Sequence, residues 1–259
     1  MSARAKKQFG QHFLADENIL GVIGRLAELE ERDIVLEVGP GRGVLTTYLA
    51  ERVSRVHAIE LDRSLEGGLR AELADRRNVE LRFGDALTYD LSALEPAPTK
   101  LVANLPYNVA TPLVAESLDG LPTLELWCVM VQREVADRFF ADPETKAYGA
   151  VSVLVQLTAE RTGFHPVSRN VFRPRPNVDS ALVAFRRRGA LPADYAKFKA
   201  VVGAAFAHRR KQLPNSLELA GLASRDHAAA ALSRIGREPE TRAEALAPED
   251  FVRLAHELE

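Results

Sequence analysis

The chain has 259 residues, 46% of them hydrophobic and 27% charged, with a formal net charge of −2. That is enough apolar material for one sizeable α/β domain and a smaller companion. No apolar run approaches the ~20 residues of a membrane span, and the basic stretch 1–7 leads into no apolar segment, so neither an anchor nor a signal peptide is expected. A single cysteine, Cys128, excludes an intrachain disulfide and fits a reducing cytosol, and no Cys/His cluster has metal-ligand spacing.

In chain order, an N-terminal arm (1–15) contains Gln8-Phe9-Gly10-Gln11-His12-Phe13-Leu14. Asp16 then caps a helix in which Ile19, Leu20, Ile23, Leu26 and Ala27 recur at helical spacing. Residues 34–38 read as a buried strand and 39–43 as a glycine turn into a helix from 44 to about 52. Residues 55–61 are a second strand, with helical texture after Asp62, and 79–83 a third, ending in Gly84-Asp85-Ala86. Residues 100–103 give a fourth strand and 126–131 a fifth, with Cys128 inside it as a small core residue, before a helix near Glu134. Strands alternating with helices predict a doubly wound, mostly parallel sheet. Residues 151–157 and 180–186 read as two further strands closing an antiparallel hairpin, for seven in all. After Arg186-Arg187-Arg188-Gly189 the texture becomes Ala-, Leu- and charge-rich, with helices expected at about 194–207, 211–220, 225–235 and 248–258. The expected division is therefore an arm at 1–15, an α/β domain at 16–188 and an all-helical domain at 189–259.

The turn Glu37-Val38-Gly39-Pro40-Gly41-Arg42-Gly43 lets a ligand approach the backbone and meet free N–H groups at a helix start. Glu60, ending the second strand roughly 20 residues after Gly39, is placed to accept from ribose hydroxyls. Asp85, ending the third, can accept from an adenine amine. Each acid also has a plain structural reading, Glu60 as a residue beside a helix cap and Asp85 as a turn former. Together at the carboxyl ends of neighbouring strands they point to a nucleoside-containing cofactor, and the glycines alone do not separate NAD from S-adenosylmethionine.

The fourth strand does separate them. Asn104-Leu105-Pro106-Tyr107 offers a side-chain oxygen, a backbone carbonyl, a rigid proline and an aromatic face, although a strand-end turn with a core tyrosine has the same composition. A heterocyclic amine is a poor nucleophile because its lone pair is delocalised. Two acceptors, the Asn104 oxygen and the Leu105 carbonyl, would favour a pyramidal nitrogen aimed at an activated methyl, while the Tyr107 ring takes the stacked base. Such a base comes from single-stranded or flipped nucleic acid, and Phe172 is the expected second aromatic wall. Residues 161–211 carry twelve Lys and Arg against Asp179 and Asp194, a local net of +10 that leaves −12 for the rest. That asymmetry suits a polyanion, the alternative being solvated arginines on scattered surfaces.

These residues resemble the KsgA/RsmA-type small-subunit rRNA adenine N6,N6-dimethyltransferases over nearly the whole chain. The matching motifs include Phe9–Leu14, Glu37–Gly41, Ile59-Glu60-Leu61-Asp62, Gly84-Asp85-Ala86, Asn104–Asn108, Tyr148-Gly149, Phe172–Ser180, and Arg209-Arg210-Lys211 with Asn215-Ser216-Leu217. The resemblance implies a Rossmann-like methyltransferase domain and a small helical RNA-binding domain. It implies S-adenosylmethionine as methyl donor to N6 of two adjacent adenines in a hairpin near the 3′ end of small-subunit rRNA. It also implies action on a pre-ribosomal 30S particle; a cytoplasmic location and no metal are expected from the cysteine and histidine pattern, and a monomer is the default. By motif, His12 and Leu14 touch the cofactor through backbone, Gly39 and Gly41 its methionine part, Glu60 the ribose, Asp85 the adenine, and Asn104 lies between cofactor and base. Arg173, Arg175, Arg186, Arg187, Arg188, Arg209, Arg210 and Lys211 are the expected RNA contacts.

Two departures stand out: His12 where many members carry Asn, and Pro214, which is expected to shorten or kink a helix. The rivals are an Erm-type large-subunit methyltransferase that confers macrolide resistance, a non-catalytic rRNA-binding assembly factor, and a nicotinamide dehydrogenase. Leu105, Tyr148-Gly149 and the Arg209–Lys211 block favour the small-subunit reading over the first. Intact Asn104, Tyr107, Glu60 and Asp85 argue against the second, and nothing resembles a hydride-transfer site.

Overall fold

In a computed structural model of the protein the described residues are 11–208 and 210–258. Phe9, Gly10, the basic stretch 1–7 and Arg209 therefore lie outside the described residues. The chain forms two compact units, one running up to Ala136 and resuming over Glu160–Arg187, the other comprising Asp137–Ala159 and the chain from Arg188 on. The second thus resumes at Arg188, one residue before the Gly189 break, and also takes in a segment that the sequence reading gave to the α/β domain.

The first unit opens with a two-residue strand β1 (Phe13–Leu14) and helix α1 (Glu17–Leu26), whose first turn is capped by Asp16 accepting from the Asn18 N–H. There follow β2 (Ile34–Val38), α2 (Val44–Ala50), β3 (Arg55–Glu60), α3 (Glu66–Glu72), β4 (Val79–Phe83), β5 (Lys100–Asn104), α4 (Ala110–Gly120), β6 (Leu126–Gln132) and α5 (Arg133–Phe139), which runs across the division between the units. After α6 (Ala150–Thr158) come β7 (Ala159–Val167), β8 (Phe172–Arg173) and β9 (Ser180–Arg187).

The main sheet has seven strands in the order β4-β3-β2-β5-β6-β9-β7. Parallel pairing runs from β4 through β6, and β9 pairs antiparallel with β6 from Leu126↔Arg186 to Gln132↔Ser180. This is the expected mostly parallel, seven-stranded, doubly wound sheet. The central strands are buried on both faces, and the Leu126–Val131 run reads as unbroken apolar sequence for that reason. Cys128 lies fully inside, where burial pushes its thiol up to about 12.

One strand assignment is corrected. Residues 151–157 belong to α6, and the strand beside β9 is β7. A short, continuous apolar run does not distinguish a strand from a helix buried on every side. Here Ser152 decides the start, accepting from the Gly149 N–H at 3.0 Å. β7 was obscured by Gly163, where a Cβ would come within 2.5 Å of Leu26, and by Pro166, tolerated because this is an edge strand, where a missing ladder N–H costs little.

In the second unit α6 is joined by α7 (Tyr195–Ala207), α8 (Leu213–Leu219), α9 (Arg225–Arg234) and α10 (Pro248–Glu257). Their core gathers Tyr148, Phe206 and Phe251, with ring centroids 5.9 and 5.8 Å apart, and the Tyr148 hydroxyl donates to the Leu246 carbonyl at 2.8 Å. Pro214 lies in the first turn of α8 and sets its start, so no kink results.

At the amino end of the sheet Lys100, 6% exposed, bridges to Asp33 at 2.8 Å and donates to the Glu28 carbonyl. Breaking one half of such a pair strands a buried charge. Lys100→Met is expected to lower unfolding free energy by about 3–5 kcal/mol. In urea denaturation the double variant Lys100→Met, Asp33→Asn should recover part of that loss.

Candidate functional site

The parallel register brings the carboxyl ends of β4, β3, β2 and β5 to one edge: Val38 stands opposite Ile59, and Glu60 opposite Phe83. Open α/β sheets bind ligands outside this edge. A cleft there is lined by His12, Leu14, Glu37, Gly39, Gly41, Glu60, Asp85, Asn104, Leu105, Pro106 and Tyr107, among others. Ten of the sequence-selected residues therefore share one cleft, joined by Glu37, which the sequence reading quoted without giving it a role.

Gly39 and Gly41 have φ of +77° and +60°, values open to glycine and costly for other residues. A Cβ on Gly39 would come within 3.1 Å of Pro106, and one on Gly41 within 2.9 Å of the Phe13 ring. The turn is thus pressed between the loop after β5 and the arm, and its backbone is what faces the cleft. Arg42 lies over the Phe13 ring, 4.6 Å from its centroid.

Glu60 is 5% exposed, with one carboxylate oxygen accepting from the Asp62 N–H at 2.8 Å and the other from the Gly41 N–H at 3.0 Å. Burial raises its pKa, and the two backbone bonds offset part of the rise. The capping role beside it belongs to Asp62, which accepts from the Ser64 N–H and from Gln11 Nε2. Glu60 therefore lines the cleft with lone pairs still available. Asp85 combines its two readings: it is exposed and lines the cleft, while one oxygen accepts from the Leu87 N–H at 3.0 Å.

Asn104 donates through Nδ2 to the His12 carbonyl at 3.2 Å, which orients the amide and leaves Oδ1 as its unengaged acceptor. His12 is tied in turn to Pro174, donating from Nδ1 to its carbonyl at 2.8 Å, and its ring lies 5.6 Å from that of Tyr107 at 33°. Leu105 is buried, and its N–H donates to the Met130 carbonyl.

Glu37 is the residue that sequence reasoning missed. It is 1% exposed, and its Oε2 has no hydrogen-bond partner. Burial raises its pKa from 4.5 to about 8, the neighbouring Thr46 side chain easing the shift and Glu60 adding to it. The signal was present: one acid within the otherwise apolar strand Ile34–Val38. An orphaned buried carboxyl beside a side-chain-free turn suits a polar, cationic ligand group.

Phe172 is not part of the cleft and is corrected to a core residue. It is 1% exposed and packs with Leu14, Ile19 and Val167, because β8 pairs Phe172 with Leu14 of the arm. Arg187 is likewise corrected as an RNA contact. Its guanidinium donates to the carbonyls of Leu118, Leu121 and Leu124 at the end of α4, and lies over the Trp127 ring. Arg186 pairs with Glu28, whereas Arg173 and Arg175 are exposed in the first unit. Arg188, Arg210 and Lys211 are exposed in the second. No group of His, Cys, Asp and Glu able to hold a metal exists among the described residues, and none of their helices is long and apolar enough to cross a membrane.

The family model described as ribosomal RNA adenine dimethylase matches residues 2–259. The ribosomal RNA small subunit methyltransferase A of Rubrobacter xylanophilus is 49% identical over 251 residues, 97% of this chain and 94% of that one. Among solved structures, a dimethyladenosine transferase from Plasmodium falciparum shares the fold with a TM-score of 0.74 at 23% identity, covering 94% and 96% of the two chains. The 23S rRNA methyltransferase ErmE aligns with a TM-score of 0.66 at 30% identity, over 95% and 99%.

Because the folded pKa of Glu37 lies above its ordinary 4.5, its stabilising contribution is complete below that value and is lost as pH rises toward about 8. The melting temperature of Glu37→Gln should therefore gain on wild type between those limits and run parallel above them. Phe172→Ala should lower unfolding free energy by about 3–5 kcal/mol, as deletion of a buried ring does. A loss under ~1 kcal/mol in chemical denaturation would be too small for a core ring.

Proposed function

The chain belongs to the ribosomal RNA adenine dimethylase family, and we infer that it transfers methyl groups from S-adenosylmethionine to adenine N6 in small-subunit ribosomal RNA. The observation that supports the site reading is the Asn104 amide, which lines the cleft and is held through Nδ2 by the His12 carbonyl with Oδ1 left as its unengaged acceptor. The 49% identity to a small-subunit enzyme, against 30% to the large-subunit enzyme ErmE, favours the small subunit.

The residues fit the cofactor. Gly39 and Gly41 would receive the methionine part against bare backbone, with Glu37 beneath it. Glu60 would take the ribose hydroxyls and Asp85 the adenine amine, while His12 and Leu14 close the arm side. When bound, the cofactor supplies a methyl group already activated on a sulfonium, so no strong base or metal is needed. Asn104 Oδ1 and the Leu105 carbonyl accept from the target amine and hold its lone pair toward the donor, and Tyr107 supports the base by stacking. In the second round the amine carries one hydrogen, so the two acceptors cannot both retain a donor.

The substrate in finer detail is two adjacent adenines in a hairpin near the 3′ end of the rRNA, met by a monomer in the cytoplasm on a pre-ribosomal small-subunit particle. Arg173 and Arg175, and separately Arg188, Arg210 and Lys211, are exposed cations suited to its phosphates.

Labelled S-adenosylmethionine incubated with under-methylated small and large subunits should label small-subunit rRNA as N6-methylated adenine. Label confined to the large subunit would overturn the assignment. Asn104→Ala should reduce transfer by ~10²-fold or more, with retention of RNA on a low-salt filter nearly unchanged.

A further inference from the structure

Tyr107 stands in the loop after β5, yet its hydroxyl is not directed to solvent. It lies 2.9 Å from the Ser180 hydroxyl. Ser180 is the first residue of β9, 1% exposed, and is paired with Gln132 at the carboxyl end of β6. The bond therefore reaches across one whole strand, from the loop that carries the candidate chemistry to the antiparallel strand beyond it.

Ser180 is itself held firmly. The carbonyl of the preceding Asp179 accepts from the Arg133 N–H at 3.0 Å, and the Asp179 carboxylate accepts from the Arg169 N–H and from Arg169 Nε, both at 3.0 Å. Arg169 also donates to the Asn177 carbonyl. Cation, carboxylate and strand end form one clamp, with the Ser180 hydroxyl at its inner face. The Tyr107 ring also meets the tilted imidazole of His12, a contact with no directional bond.

We propose that Ser180 is a positioning residue for methyl transfer: by holding the Tyr107 hydroxyl it fixes the plane on which the target base stacks. A phenol ring turns about two side-chain torsions: a bond at its far end pins the direction of the ring axis, and because a phenol hydroxyl bonds close to the ring plane it also biases rotation about that axis. With the hydroxyl anchored on β9 and Asn104 on β5, the distance between stacking plane and amine acceptor is set by sheet register. Loss of the bond leaves a correctly folded site with a ring free to tilt, and small misplacements of a reacting group cost rate more than binding.

This rests on the reading of Tyr107 as the base platform, and the experiment separates the two. Ser180→Ala, Tyr107→Phe, their double variant and Tyr107→Ala are assayed on under-methylated small subunits, with S-adenosylmethionine affinity measured by calorimetry and folding by melting temperature. Ser180→Ala and Tyr107→Phe should each lower kcat about tenfold, with cofactor affinity and melting temperature close to wild type. The double variant should be no slower than either single, because both remove the same bond. Unchanged kcat in Ser180→Ala, additive losses in the double variant, or a parallel loss of cofactor affinity would each overturn the proposal. If Tyr107→Ala also transfers methyl at the wild-type rate, the platform reading itself falls. If Tyr107→Ala is impaired while Ser180→Ala and Tyr107→Phe are normal, only the positioning role falls.

Discussion

The site depends on one steric constraint: two residues of the turn after β2 carry no side chain. Gly39 and Gly41 both sit at positive φ, and each lies where a Cβ would strike a neighbour, Pro106 in one case and Phe13 in the other. Through that contact the arm, the glycine turn and the loop after β5 are brought to one place. A bulkier residue at either point would push the loop carrying Pro106 and Tyr107 away from the turn, or lift the arm whose carbonyl orients Asn104.

Around this point the polar groups divide by how completely they are satisfied. Glu60 has each oxygen on a backbone N–H, whereas Glu37, a strand away and deeper, keeps an orphaned oxygen in an apolar setting. Burying a carboxyl without a partner is unfavourable, and a fold tolerates it where a ligand will supply the missing interaction. The free protein is in this sense less than optimally stable at neutral pH for the sake of what it binds.

The basic excess of residues 161–211 is not one uniform surface. Arg187 ends helix α4 and covers Trp127, Arg169 clamps Asp179, and Arg186 meets Glu28. These cations shape the scaffold, while Arg173, Arg175, Arg188, Arg210 and Lys211 remain exposed. Counting charge along a sequence adds the two kinds together, since a guanidinium that caps a helix and one that meets a phosphate are the same residue type.

Much of this was legible in the sequence, because strand ends and turn residues are local properties. The alternating pattern gave the parallel sheet, and the spacing from Gly39 to Glu60, Asp85 and Asn104 marked its carboxyl edge. What was not legible depended on contacts between distant segments. Residues 151–157 have an apolar pattern that both strand and helix satisfy, and burial on all sides with the Ser152 cap decided for helix. Phe172 looked like a pocket wall from its motif, but pairing with Leu14, some 160 residues earlier, turned it into the core. The Ser180 hydroxyl reaches Tyr107 only because β9 returns antiparallel beside β6. Sequence by itself determined which chemical groups are present and on which strand ends they stand, since those follow from local periodicity. Tertiary structure alone decided which of them face the cleft, because exposure and hydrogen-bond partners are set by the chain that packs from elsewhere.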